Sequence, residues 1–171
     1  MPPPVSRYLF VAAVVLWGAG CANTRPFTLV PNRSAVLGEE QAEAVVQQCS
    51  RAAPAMEGTW EPSPQDVAQL EADLGQVHRM RSEECCFGGG GVDDVNSFFR
   101  QYVGVIVGGH RMIYVNAFPA TEFDDWPSDV VRLPDWRTEA FIVCDGGSSY
   151  WGVVYDPEKR RFSMLAFNGV A

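Results

Sequence analysis

Basic side chains and histidine are scarce in this chain of 171 residues. Thirteen lysines and arginines face 21 aspartates and glutamates, two histidines complete the set, and the net charge is −8. That balance excludes nucleic acid as a natural partner, because phosphates are gripped by Lys and Arg. His78 and His110 have no sequence neighbour that would complete a metal pair. No C-x2–4-C pair suggests zinc, and no C-x-x-C suggests a redox dithiol. The glycine run 88–91 lacks the Gly-Lys-Ser/Thr ending of a phosphate loop. The turn "CDGGSSYWG" lacks the G-x-S-x-G elbow of serine hydrolases. Asp93-Asp94 and Asp124-Asp125 lack the alternating pattern of a calcium loop. No metal and no cofactor is therefore expected.

The N-terminus does carry a signal. Arg7 precedes an apolar run from Tyr8 to Trp17, and then come the small residues Gly18, Ala19 and Gly20. A positive start, a short apolar core and a small-residue exit describe an export signal over residues 1–20. The run falls short of the roughly 20 apolar residues that a spanning helix needs. Gly18-Ala19-Gly20-Cys21 resembles the lipobox of bacterial lipoproteins, with Gly18 where that family usually has Leu or Val. The resemblance implies that Cys21 becomes the acylated N-terminus, and Ala22 fits the outer-membrane sorting rule of that family. Each buried methylene of such an anchor contributes about 0.8 kcal/mol, so several acyl chains hold firmly. A lipid-anchored protein of the cell envelope, at the outer membrane and facing the periplasm, is the expectation.

Removing residues 1–20 leaves 151, enough for one domain with a core. An apolar fraction of 47% and five tryptophans over the whole chain, four of the tryptophans beyond residue 20, argue for a folded body. Losing Arg7 leaves 12 basic against 21 acidic side chains, a net of −9. Such acidity keeps a protein soluble and also suits a basic protein partner.

Four cysteines remain: Cys49, Cys85, Cys86 and Cys144. In an oxidising compartment an even number reads as disulfides. A bond between adjacent residues strains disulfide geometry, so Cys49 and Cys144 are each expected to join one of Cys85 and Cys86. "CCFGGGG" then reads as a stapled connection whose glycines let the backbone turn away.

Residues 21–38 read as the acylated cysteine and a tether, and residues 39–171 as a single α+β domain. Ala42, Val45, Val46 and Cys49 follow one helical face, which predicts a helix over 39–51 with Cys49 on its buried stripe. Residues 52–62 read as a linker. Ser63, Pro64 and Asp66 form a helix start, and Val67, Leu70, Leu74 and Val77 give a second apolar stripe ending near Arg81. Two β-rich runs, 102–107 and 111–118, flank Gly108-Gly109 as a hairpin. Further strands are predicted at 140–145, 149–155 and 161–167. The expected architecture is two N-terminal helices followed by an antiparallel meander of four or five strands, with helices on one sheet face.

Residues 119–138 form a long loop, and loops of this length are often functional. Trp126 and Trp136 with Asp124 and Asp125 are the candidate partner anchors, since Trp buries large area with a polar tip. Trp60, Tyr102, Trp151 and Phe162 read as core. The expected function is a non-enzymatic binding module for an envelope partner: an inhibitor, an immunity protein or an accessory factor. The alternative is an envelope enzyme acting on cell-wall material through Asp145, His110 or a loop carboxylate.

Overall fold

The computed structural model describes residues 32–82, 90–123 and 135–170. Six strands and two short helices follow one another as β1 (Ser34–Val36), α1 (Ala42–Val46), β2 (Gly58–Trp60), α2 (Pro64–Asp73), β3 (Phe98–Val107), β4 (His110–Pro119), β5 (Trp151–Asp156) and β6 (Arg161–Phe167). The class is α+β. The four long strands form the expected antiparallel meander, β3-β4-β5-β6. Two expectations are corrected. The helices do not both precede the sheet, and the sheet is mixed, because β1 pairs with β3 in parallel. The stretches read as tether and linker supply β1 and β2. Each is three residues long, too short for a periodic signal, and both lie along one edge of β3.

The hairpin turn between β3 and β4 holds Gly108 at φ 57° and Gly109 at φ 73°. Two successive positive φ values match the twist of the strands, which is why a Gly-Gly pair sits there. Gly104 of β3 answers a different need: a Cβ there would stand 2.0 Å from the carbonyl oxygen of Trp60 on β2.

β3, β4 and β5 are buried on both faces. Residues 100–105, 113–118 and 151–156 are buried without a break. On one face α2 and the 3-10 turn after it place Leu70, Leu74 and Val77 against Tyr102, Ile113, Val115, Trp151 and Val153. On the other, α1 places Ala42, Val45 and Val46 against Val103, Val105, Tyr114 and Val154. Helices thus cover both faces, which corrects the expectation of helices on one face alone. Continuous apolar runs such as "YVGVIV" reflect this two-sided burial rather than alternation.

The capping box of α2 forms as expected. Asp66 N–H donates to Ser63 Oγ at 3.2 Å, and Ser63 N–H donates to the Asp66 carboxylate at 2.9 Å. α1 is shorter than its periodicity suggested. Beyond Val46, Gln48 turns its Nε2 back on the carbonyls of Ala44 and Val45, at 3.3 and 3.2 Å, and ends the helix. Cys49 falls past that end and is exposed rather than on the buried stripe. Among the described residues no helix is long and apolar enough to cross a membrane.

Residues 140–145, expected as a strand, lie outside every ladder. They run as an arm across the second sheet face and are tied there by side chains. Phe141 N–H donates to Gln101 Oε1 at 3.0 Å, and Asn116 Nδ2 donates to Phe141 C=O at 2.9 Å. Ala140 N–H donates to Gln41 Oε1 at 3.0 Å, and Val143 N–H to Gln48 Oε1 at 3.2 Å. Asn168 Nδ2 donates to Val143 C=O at 2.6 Å and to Asp145 C=O at 3.1 Å. Gln101 Nε2 also reaches Trp136 C=O and Glu139 C=O, both at 2.7 Å. Gln101, Asn116 and Asn168 are almost fully buried, so these amides exchange water for one another and for the arm.

The same arm is closed covalently. Cys49 and Cys144 form a disulfide across 95 residues of chain. The expected bonds from Cys49 and Cys144 to Cys85 and Cys86 are thereby corrected, because both partners are already spent on each other. Cys85 and Cys86 lie outside the described residues, as does Cys21.

Gln101 carries the heaviest load in this network. Gln101→Leu keeps the volume but strips the partners from one buried N–H and two carbonyls, each costing about 1–3 kcal/mol. Urea unfolding should show a loss of about 3 kcal/mol or more; a loss under about 1 kcal/mol would show that the arm does not depend on it.

Candidate partner-binding groove

The expected anchors divide. Asp124, Asp125 and Trp126 lie outside the described residues. Trp136 is described, and it is buried to 3% exposure. Its ring stacks on Phe99 at 4.5 Å and meets Phe118 edge-on at 6.1 Å, while Phe118 stacks on Phe141 at 4.3 Å. Arg137 lies over the outer side of the ring, 4.4 Å from its centroid. Trp136 is therefore part of a third core cluster and no contact surface. Its neighbours in sequence are polar, which disguised a residue that the arm and β3–β4 enclose.

Of the residues of the alternative enzyme reading, His110 and Asp145 lie on different elements, and the loop carboxylates Asp124 and Asp125 lie outside the described residues. His110 stands exposed at the start of β4, beside the turn where Gly109 N–H donates to Glu57 at 2.9 Å. Asp145 lies on the exposed arm end. His78 is exposed, with Nδ1 3.1 Å from Val92 C=O. Among the described residues no three His, Cys, Asp or Glu side chains gather as a metal cluster would require.

One charged constellation is structural. Arg160, in the turn between β5 and β6, grips Asp73 at the end of α2 through two bonds of 2.9 Å. Tyr155 donates to the same carboxylate at 2.7 Å. Burial raises the Asp73 carboxyl, but the Arg160 guanidinium and the Tyr155 hydroxyl outweigh it and hold the group below its ordinary value of 3.8. Burial, and then the Asp73 charge it faces, push the Tyr155 hydroxyl up to about 12. The cluster pins α2 onto the β5–β6 hairpin.

The described surface also offers a concavity of a different kind. A groove of about 890 Å³ opens between β1, the turn after it and the start of α2. Its floor is apolar: Val36, Leu37, Pro62, Pro64, Val67 and Ala68. Its walls carry Glu39, Glu40, Glu61 and Glu71. Pro64 and the capping box fix the start of α2, and the parallel register of β1 on β3 fixes the opposite wall. Glu39 accepts from Thr59 Oγ1 at 2.7 Å, and Glu71 accepts from Ser34 Oγ and from Tyr102 OH at 3.4 Å. No described lysine or arginine forms an ion pair with any of the four. Four carboxylates around an apolar trough favour a ligand with cationic ends and an apolar body. A smaller hollow of about 550 Å³ beneath β6 offers one charge, Arg81, already spent on the carbonyls of His78 and Met80. Sequence reading missed the groove because its walls come from the supposed tether, the supposed linker and a helix.

No family model matches this chain, and no curated protein or solved structure is significantly similar to it. The fold class and the groove are what define it.

Two substitutions check these assignments. Trp136→Ala should cost about 3–5 kcal/mol of stability, as core truncation of a tryptophan does; an unchanged unfolding midpoint would place the ring outside the core. Asp73 binds its proton less tightly when folded than when unfolded. Its contribution is thus complete above pH 3.8 and is lost as pH falls through the lower folded value. Asp73→Asn should lower stability near neutral pH and flatten the acid limb below about pH 4, read by urea titration at successive pH values. An acid limb identical to wild type would contradict the assignment.

Proposed function

We propose that this chain is an exported, lipid-anchored binding module of the cell envelope that captures a basic protein partner without chemistry of its own. Inhibitors, immunity proteins and accessory factors of envelope assembly act in this manner. The observation that carries the reading is the groove, with its apolar floor and four glutamates free of described cationic partners. The Cys49–Cys144 bond supports an oxidising compartment, where structural disulfides persist. The signal-like residues 1–20 and the lipobox-like Gly18-Ala19-Gly20-Cys21 support attachment through Cys21 to the outer membrane, facing the periplasm.

The contact surface in this reading is the groove between β1 and α2; of the loop anchors, Trp136 is buried, and Asp124, Asp125 and Trp126 lie outside the described residues. Exposed carboxylates of this sort steer a cationic partner and set its approach rate more than they set its grip, and the apolar floor supplies the rest.

Reversing two exposed wall charges tests the reading. The double variant Glu40→Lys with Glu61→Lys should weaken capture of a basic envelope partner about tenfold, with the difference shrinking as salt is raised. Capture that is equal for wild type and variant at low salt would remove the groove as the binding surface.

A further inference from the structure

The groove has a second property besides its charge. Among the described residues β1 ends the sheet on that side. In its parallel pairing, Arg33 C=O accepts from Arg100 N–H at 2.8 Å, and Leu37 N–H donates to Tyr102 C=O at 2.9 Å. Peptide groups alternate in direction along a strand, so Ser34 and Val36 turn their N–H and C=O groups away from β3. Among the described residues no backbone or side-chain group meets them. Val36 is 42% exposed and forms part of the groove floor. The open edge and the acidic trough are therefore one surface.

We propose that the groove takes an extended peptide segment of the partner, added as a strand beside β1, with apolar side chains on the floor and alternate Lys or Arg side chains against the glutamates. This rests on the binding-module reading and specifies its mode. Main-chain bonds to Ser34 and Val36 give register, and pockets for alternate side chains give selectivity, as in other cases of strand addition. The floor at Val36 and Val67 suits a β-branched or leucine side chain. Glu61 and Glu71 on one wall and Glu39 and Glu40 on the other stand where flanking cations arrive. A second copy of this chain is a poor occupant, because its own edge carries the same carboxylates on a body of net charge −8. With only three residues in β1, the added strand is short, which fits reversible capture.

The test uses the full chain and two synthetic eight-residue peptides, one alternating lysine with valine and one alternating glutamate with valine. Binding is followed by fluorescence anisotropy, and hydrogen exchange of the Val36 amide is followed by NMR at saturation. The lysine–valine peptide should bind at least tenfold more tightly than the glutamate–valine peptide, and exchange at Val36 should slow at least tenfold. Glu40→Lys with Glu61→Lys should erase the preference. Tight binding of the lysine–valine peptide with Val36 exchange unchanged would overturn strand addition while leaving the acidic groove as the binding surface. Absence of binding, or equal binding of the two peptides, would overturn both.

Discussion

The second face of this sheet depends on a substitution of side-chain amides for a strand. Residues 140–145 cross the face as an extended arm whose peptide groups have no ladder partner. A buried peptide group without a partner costs about as much as a lost hydrogen bond, so an arm in this position must be satisfied some other way. Gln41, Gln48, Gln101, Asn116 and Asn168 do so, each offering a donor and an acceptor in the geometry of a peptide group. Arg51 completes the set by donating to Asn116 Oδ1 at 2.7 Å, which fixes the orientation of that amide.

Much else follows from this arm. Phe141 can be buried because its own N–H and C=O are satisfied, and with it Phe118 and Trp136 close into a third cluster. Cys144 is carried to Cys49, and Ser50, next to Cys49, donates to Cys144 C=O and accepts from Gly169 N–H at 3.0 Å. The disulfide closes a loop over a sequence separation of 95 residues. Constraint of an unfolded chain over such a length stabilises by about 2–4 kcal/mol. Covalent and amide ties thus act on the same few residues, while the opposite face relies on ordinary packing of α2. The groove lies at the β1 edge of the sheet, on elements whose positions are set by the capping box and by the edge pairing of β1.

Several features were legible from the sequence. The Gly108-Gly109 hairpin, the Ser63–Asp66 capping box and the apolar stripe of α2 are local signals, and each appears at the expected residues. The β5–β6 hairpin is equally local. What misled were signals whose meaning is set at long range. "AFIVCDG" has the composition of a strand, but its hydrogen bonds go to amides 23 to 99 residues away in sequence. Cys49 completes a helical spacing, yet Gln48 stops the helix before it. Adjacent Cys85 and Cys86 invited crosslinks that the Cys49–Cys144 bond forecloses. Trp136 sits in an acidic, proline-rich stretch that reads as surface. β1 and β2 are too short to show a period, and so the groove between β1 and α2 had no signature beyond scattered glutamates.

The central claim is that carboxamide side chains protect the arm as a ladder would. Native-state hydrogen exchange at the Phe141 and Val143 amides tests it most directly. The account predicts protection comparable to that of amides in β3 and β4, lost at both positions when reduction of the disulfide is combined with Gln101→Leu. Exchange at Phe141 and Val143 as fast as in an exposed loop of the intact oxidised protein would contradict it.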